Sequence, residues 1–168
     1  PAPFLLAEHA GACGAVATVA RTASRLDVLW VASDGSVWCR KYEDGPGWGP
    51  QVCVAGAGSA HPSAIAAVGR NPEHLDVFWI ANDGQIWTNW WDSGENRGQW
   101  NQPFHLSDRG AAQVGALQVI SRSSNHLDLF WIASDSSVHT TFWDGQGWHG
   151  HWAISSAGST GHSVRKAR

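Results

Sequence analysis

The sequence lacks methionine altogether and has only one tyrosine and three cysteines among its 168 residues. Three cysteines cannot form the dense disulfide framework of a small secreted scaffold, and no Cys-x-x-Cys pair indicates zinc. One disulfide bond is possible at most. The repeat described below places Cys39 and Cys53 on adjacent strands, and the sequence leaves open whether they are bridged or are two buried thiols.

Charge is also scarce, because charged residues make up 15% of the chain and the net charge at pH 7 is −3. A chain without a basic surface is poorly suited to the phosphate backbone, which excludes nucleic acid as the expected partner. No apolar run approaches the eighteen or so residues that span a bilayer. We therefore expect a globular protein that does not span a membrane.

Tryptophan and glycine, in contrast, are abundant, with 12 and 19 residues respectively. Tryptophan supplies a flat, rigid and amphipathic surface, and so many copies indicate that such a surface is used repeatedly. Internal repeats are therefore the first feature to look for.

One segment occurs three times in the sequence. RLDVLWVASDGSVWCRKYEDGPGW starts at Arg25, HLDVFWIANDGQIWTNWWDSGENRGQW at His74, and HLDLFWIASDSSVHTTFWDGQGW at His126. The extra residues of the second copy fall in a loop at 93–99, where insertions are tolerated. The chain is thus three tandem repeats of about fifty residues each.

Each repeat contains four strand-like segments. The first strand is rich in small residues and the second in Val, Ile, Phe and Trp, which favour strands. An Asp-Gly or Asp-Ser turn leads to the third strand, and a loop ending in tryptophan leads to the fourth. The first strands are predicted at 16–21, 65–70 and 117–122, the second at 26–32, 75–81 and 127–133, and the fourth at 52–54, 104–106 and 152–154.

The second strand is apolar on both faces in every repeat, apart from one aspartate, as expected for a strand packed between two sheets. This pattern predicts an all-β fold of β-propeller blades, with three four-stranded repeats and a spare N-terminal strand. A β-trefoil is the main alternative, but it does not require a strand that is apolar on both faces.

The predicted organisation is a single repeat domain. Three blades leave two apolar faces exposed, so we expect the ring to close with another chain, as a homo-oligomer, or within a longer propeller. The predicted parts are a spare outer strand at about 1–14, blade one at about 15–57, blade two at about 64–109, blade three at about 116–157 and a tail at 158–168.

The hLDVFW segments, the DG turns and the closing Gly-Trp resemble bacterial β-propeller lectins typified by the Photorhabdus fucose-binding lectins. The resemblance covers nearly the whole chain. It implies that sugars such as fucose or O-methylated hexoses bind in shallow pockets between adjacent blades, without a metal or other cofactor. It also implies a secreted, multivalent protein whose partners are glycans or glycoconjugates.

Aromatic side chains are the predicted ligand-binding residues, because an aromatic face packs against the apolar C–H face of a sugar. Blade-to-blade packing, or packing of the hairpin by the closing tryptophans, is the structural alternative. Trp30, Trp79 and Trp131 lie in mid-strand and are predicted to be core. The predicted ligand-binding residues are Trp38, Trp87, Trp91, Trp143, Tyr42, Trp90, Trp48, Trp100 and Trp148.

An aspartate recurs between two apolar residues of each second strand, where a lone carboxylate would be unfavourable. An arginine recurs at the end of each first strand. We expect structural Arg–Asp or Asp–backbone links rather than direct ligand contacts. The pairs are Arg21 with Asp27, Arg70 with Asp76, and Arg122 with Asp128.

The repeats are unequal in one position that concerns the site. His139 stands where the other two repeats have Trp38 and Trp87, so a third pocket is predicted to be altered or unable to bind. His149 and His151 alternate on one strand, but two ligands alone are a weak indication of a metal site.

These observations predict a non-catalytic lectin with no catalytic residues. A propeller that acts as a protein–protein scaffold or targeting module is the alternative, since a fold alone does not determine function. A propeller glycosidase would need two converging carboxylates about 5 to 10 Å apart. Here the acidic residues repeat with the blades, which argues against such an enzyme.

Overall fold

The computed structural model describes residues 14–160, which form three four-stranded antiparallel sheets. In each sheet the strands pair in the order of the chain. No helix in this part of the chain is long and apolar enough to cross a membrane. The elements are β1 (Val16–Thr22), β2 (Arg25–Val31), β3 (Val37–Glu43) and β4 (Gly47–Ala55); β5 (Ile65–Asn71), β6 (His74–Ile80), β7 (Ile86–Asp92), a 3-10 helix (Asn96–Gly98) and β8 (Phe104–His105); β9 (Ala112–Ser123), β10 (His126–Ala133), β11 (Val138–Trp143) and β12 (Trp152–Ala153).

The first strands of the three sheets lie next to one another, with β5 between β1 and β9. A small cavity of about 200 Å³ is lined by residues of all three strands, including Val16, Ile65 and Gln118. The sheets are therefore arranged around a common axis with their fourth strands outermost, as in a propeller. The prediction of four-stranded propeller blades is confirmed, and the sheets are called blades 1, 2 and 3 in chain order.

The predicted spare strand at about 1–14, except for Gly14, and residues 161–168 of the predicted tail lie outside the described residues. The predicted domain boundaries stay a prediction.

The middle blade shows why its second strand is apolar on both faces. All seven residues of β6 are buried. Leu75, Val77 and Trp79 pack into a core shared with blade 1, whereas Phe78 and Ile80 pack into a core shared with blade 3. Full burial of one such side chain contributes about 1.5–3 kcal/mol, so the two cores hold the three blades together.

We call the side of a blade that faces the preceding blade its leading face and the opposite side its trailing face. On β10 the leading residues Leu129 and Trp131 are buried against blade 2, whereas the trailing residues Phe130 and Ile132 are only half-buried. Burial thus alternates along β10, whose trailing face has no neighbouring blade among residues 14–160. The mid-strand tryptophans are buried in all three blades, which confirms the prediction for Trp30, Trp79 and Trp131.

The turn between the second and third strands is tied to the crossover that leads to the next blade. Gly84 has a φ of 76°, and its carbonyl accepts a hydrogen bond of 3.0 Å from the N–H of Ala112. Blade 1 repeats this bond from Ala60 to Gly35, and blade 3 uses Ser136 at the same position with a φ of 65°. The Asp-Gly turns therefore position both the hairpin and the crossover.

Most strands lie within two residues of their predicted bounds, but β4 and β9 are clearly longer than predicted. β9 starts at Ala112 and not at 117, and β4 starts at Gly47 because its N-terminal part continues the pairing with β3.

The thiols of Cys39 and Cys53 are free, since the register places Cys39 opposite Val52 and Cys53 opposite Trp38. Burial raises the pKa of the Cys39 thiol, which is therefore an unreactive core group.

Replacement of Gly84 by alanine should destabilise the protein more than replacement of Gly110. Both residues have positive φ values, 76° and 72°, so both changes strain the backbone by about 1 kcal/mol. Only at Gly84 would the new Cβ lie 2.8 Å from the carbonyl oxygen of Ala112, whereas Gly110 has open space. We expect Gly84→Ala to lose at least twice the unfolding free energy that Gly110→Ala loses in urea titrations. Equal losses would show that the crossover is not held against the turn.

Candidate functional site

The predicted Arg–Asp links are present in all three blades. The Nε–Oδ2 distances are 2.6 Å for Arg21 and Asp27, 2.8 Å for Arg70 and Asp76, and 2.6 Å for Arg122 and Asp128. The first two pairs are buried, but the Arg122 side chain is 60% exposed. Burial raises the pKa of Asp27, and the Arg21 guanidinium opposes this effect. The links are confirmed as structural contacts.

Arg21 also connects its blade to the next one. Its Nη1 donates to the carbonyl oxygen of Pro72 at 3.0 Å, and its guanidinium lies over the ring of Trp91 with Cζ 4.7 Å from the centroid. Pro72 and Trp91 belong to blade 2. The guanidinium therefore binds a carboxylate in its own blade and both a carbonyl and an aromatic face in the neighbouring blade.

Arg70 makes the same set of contacts one blade later. It pairs with Asp76, its Nη1 donates to the carbonyl oxygen of Ser124 at 3.3 Å, and its Cζ lies 4.2 Å from the centroid of Trp143. Ser124 and Trp143 belong to blade 3. We call this recurring set of contacts, from one arginine to the next blade, the arginine clamp.

A pocket of about 460 Å³ lies at the first clamp, between blades 1 and 2. Arg21, Lys41 and Val52 line it from blade 1, and Trp91 and Trp100 line it from blade 2. This first pocket is of the size that takes a small ligand.

A second pocket of about 530 Å³ lies at the second clamp, between blades 2 and 3. Arg70, Trp90 and Phe104 line it from blade 2, and Trp143 and Trp148 line it from blade 3. Arginine, closing tryptophan and third-strand tryptophan occupy the same positions in both pockets. The same arrangement of these side chains therefore occurs at both junctions between blades.

The two pockets differ in their other side chains. Trp90 of the second pocket stands where the first has Lys41, and its indole N–H donates to Glu95 at 3.1 Å. Trp90 also makes an edge-to-face contact with Phe104, with ring centroids 5.9 Å apart. The second pocket is thus more aromatic and more acidic, with Asp92 and Glu95 in its lining.

His74 lines the second pocket and lies between acidic and basic neighbours. Its Nδ1 is 2.8 Å from Asp92 and its Nε2 is 3.4 Å from Asp76, with the Arg70 guanidinium also in contact with Nε2. Burial is the largest single influence and favours the neutral ring, but the two aspartates together outweigh it and raise the pKa of His74. His74 in turn lowers the pKa of Asp92.

The structure brings five of the nine predicted residues into these pockets. Trp91 and Trp100 line the first, and Trp90, Trp143 and Trp148 line the second. Their role in binding stays a prediction.

The other four predicted residues line neither pocket. Trp87 packs against the core between blades 1 and 2, and the indole N–H of Trp38 donates to Ser36 at 2.7 Å. Tyr42 and Trp48 contact each other edge to face on the leading face of blade 1, with centroids 5.3 Å apart. Tyr42 occupies the position equivalent to Trp91 and Trp143.

One set of residues that sequence reasoning missed holds the closing tryptophans in place. A side chain of each third strand donates to the carbonyl oxygen of the residue after the closing tryptophan. In the sequence a polar residue recurs two positions before Tyr42, Trp91 and Trp143, and this recurrence could have indicated the contact. The pairs are Arg40 with Gly49 at 2.8 Å, Asn89 with Asn101 at 2.9 Å, and Thr141 with His149.

The histidines of blade 3 make local contacts. His149 stacks on Phe142, with ring centroids 4.1 Å apart, and its Nε2 lies 2.7 Å from Oδ2 of Asp144. The hydrogen bond between His149 and Asp144 is the largest influence that lowers the pKa of Asp144 to about 2. His139 and His151 pack together against Trp131. Among residues 14–160 no three His, Cys, Asp or Glu side chains form a group that could hold a metal ion.

No protein-family model matches the sequence, and comparison with curated proteins finds no match. Solved structures do match. The BP39L lectin from Burkholderia pseudomallei is 26% identical with a TM-score of 0.73, over 84% of this chain and 41% of that one. The fungal Aleuria aurantia lectin, a six-bladed propeller, is 19% identical with a TM-score of 0.66, over 88% and 46%.

This chain has the fold of a β-propeller. The SapL1 lectin, solved in complex with alpha methyl fucoside, gives a TM-score of 0.63 at 22% identity over 84% of this chain and 48% of that one. The chain thus spans less than half the length of the three lectins described here.

Replacement of His74 by glutamine should reduce stability in a pH-dependent way. A histidine whose pKa is raised on folding contributes stability below its unfolded value, near pH 6.5, and loses it as the pH rises through the folded value. The pKa of Asp92 is lowered, so its contribution is lost only as the pH falls below about 4. The difference in unfolding free energy between wild type and His74→Gln should be largest between about pH 4 and 6.5.

Urea titrations from acidic to alkaline pH measure this difference. Asp92→Asn is the matched variant, because removal of Asp92 removes one group that raises the pKa of His74. The pH at which the His74 contribution is lost should therefore move down in Asp92→Asn. An unchanged midpoint would contradict the coupling of the two side chains.

Proposed function

We propose that this protein is a lectin that binds monosaccharide epitopes in the pockets between its blades. The observation that supports it most strongly is the repetition of one site, in which an arginine clamp, a third-strand tryptophan and a closing tryptophan occupy equivalent positions. Sites that stabilise only the fold do not require a pocket at every clamp.

The chemistry of the pockets suits a sugar. Indole rings offer apolar faces to the C–H groups of the ring, and neighbouring polar side chains offer partners to its hydroxyls. The clamp holds the indoles of Trp91 and Trp143 in position before a ligand arrives. Less side-chain entropy is then lost on binding, which favours affinity in a shallow site.

We propose fucose or an O-methylated hexose as the ligand. SapL1 was solved with alpha methyl fucoside, and the Aleuria aurantia lectin recognises fucose. The methyl group of either sugar gives the indole rings a small apolar contact that a plain hexose lacks.

We propose that the pockets bind and do not hydrolyse. Hydrolysis by paired carboxylates needs one acid and one base or nucleophile. Asp27 is the carboxylate in the lining of the first pocket, and it is held by Arg21. A carboxylate that is already bound by a guanidinium is poorly placed to act as a nucleophile or base. In the second pocket Asp76, Asp92 and Glu95 are likewise bound, by Arg70, His74 and Trp90 respectively.

We further propose that the protein is secreted and multivalent. Two equivalent pockets on one rigid body raise the apparent affinity for a surface that displays many copies of a sugar, without any new contact. Association with further blades, from a second copy or from a longer chain, would increase the number of pockets.

Substitution of the pocket tryptophans tests the proposal. A glycan array identifies the preferred terminal sugar, and titration calorimetry with its methyl glycoside then counts the sites. Trp91→Ala and Trp143→Ala should each weaken one site per chain about tenfold, because a stacking face contributes about 1.4 kcal/mol, and should leave the other site unchanged. Trp91→Phe keeps an aromatic face and is the matched control, which should retain the site with a smaller loss.

Thermal unfolding confirms that each variant is folded. Absence of binding across the array would contradict the lectin proposal and favour a protein-binding scaffold. Steady release of chromophore from chromogenic glycosides would contradict the proposal that the pockets do not hydrolyse.

A further inference from the structure

We propose that the trailing face of blade 3 docks onto the leading face of blade 1 in a second copy of this chain, so that two copies close one ring and form two further pockets. The docking is independent of the proposed function, whereas the role of the new pockets in sugar binding rests on it.

The leading face of blade 1 carries apolar residues that are buried in the other blades. Val16 is 61% exposed, although its equivalents Ile65 and Leu117 are 9% and 4% exposed. Val28 is half-buried, whereas its equivalent Val77 is fully buried against blade 1. Blade 1 therefore has the surface that blades 2 and 3 use to pack on a preceding blade.

The trailing face of blade 3 shows the complementary pattern. Ile120 is 50% exposed, whereas the equivalent Val68 packs into the core between blades 2 and 3. Phe130 is half-buried, whereas the equivalent Phe78 is fully buried. Trp152 and Ile154 add further exposed apolar area near the outer edge of this blade. Among residues 14–160, no blade covers this face in the way that blade 3 covers the trailing face of blade 2.

The second copy is the occupant that fits, because the arginine clamp repeats at this face. Arg122 holds Asp128 as Arg21 and Arg70 hold their aspartates, but its side chain is 60% exposed. In the positions of Pro72 and Ser124, blade 1 has Ala23, and in the position of Trp91 it has Tyr42. Arg122 of one copy would donate to the Ala23 carbonyl of the other and lie over its Tyr42 ring.

The number of blades supports two copies. The Aleuria aurantia lectin is a six-bladed propeller, and this chain covers 46% of it with three blades. Each copy would then offer one leading and one trailing face, so that two identical interfaces close the ring by twofold symmetry. The new pocket would have Arg122 and Phe142 on one side and Tyr42 and Trp48 of the second copy on the other.

Sedimentation equilibrium over a concentration series tests the docking. The wild-type chain should have twice the 18.1 kDa mass of one copy. Arg122→Gln should weaken the dimer at least tenfold, whereas Arg109→Gln, at an exposed arginine on blade 2 that pairs with Asp83, should leave it unchanged. A wild-type protein that stays monomeric, or that grows beyond two copies, would overturn the proposal.

Complementation tests the head-to-tail geometry without relying on a destabilised fold. Val16→Asp and Ile120→Asp each change a residue that is exposed in one copy, so both variants should fold but stay monomeric. A mixture of the two should form dimers. The trailing face of the Val16→Asp variant is intact and can dock on the leading face of the Ile120→Asp variant, which is also intact. Failure of the mixture to associate would contradict the docking of a leading face on a trailing face.

Calorimetry separates this inference from the proposed function. A dimer with three sugar sites per chain supports both. A dimer that binds no sugar leaves the docking intact and contradicts the lectin proposal. A monomer with two sugar sites contradicts the docking and leaves the lectin proposal intact.

Discussion

The arginine clamp is the contact on which the relative position of the blades depends. A buried carboxylate or guanidinium is strongly unfavourable unless its partners are all in place. Asp27 lies in its own blade, but the carbonyl of Pro72 and the ring of Trp91 come from the next blade. Both blades must therefore be docked before the guanidinium of Arg21 is fully paired. The contacts of this guanidinium with Pro72 and Trp91 therefore favour one register between the two blades over the neighbouring registers.

The clamp also explains why the pockets lie where they do. It fixes one indole of the next blade, and the polar residue two positions earlier fixes the loop that carries the closing tryptophan. Two aromatic side chains are thus held at the mouth of each junction by contacts that serve the fold. A ligand site at this place needs no additional framework, and substitutions can change the remaining lining without loss of the architecture.

Divergence of the lining has already occurred within this chain. Lys41 and Trp90 occupy equivalent positions, as do Cys39 and Thr88. The second pocket alone has a histidine that is coupled to two aspartates. The two pockets share their aromatic framework but differ in charge and in their response to pH.

The sequence predicted the blades, the mid-strand core and the Arg–Asp links because each depends on spacing within one repeat. It did not separate pocket tryptophans from packing tryptophans. Trp87 and Trp91 lie on the same face of β7, four residues and about 13 Å apart, so alternation assigns them alike. The difference arises from the neighbouring blade, which covers one end of that face and leaves the other open. Tertiary packing of this kind leaves no local pattern in the chain.

Arg40, Asn89 and Thr141 differ in charge, length and shape, yet each donates to the same carbonyl of its own blade. What is preserved between the repeats at this position is a hydrogen-bond donor and not an amino acid. Scores for amino-acid substitution rate Arg, Asn and Thr as dissimilar, although the three side chains support the same backbone conformation here. A shared fold in a chain of this type is therefore easier to detect from coordinates, as the solved structures at 19–26% identity illustrate, than from the amino-acid sequence.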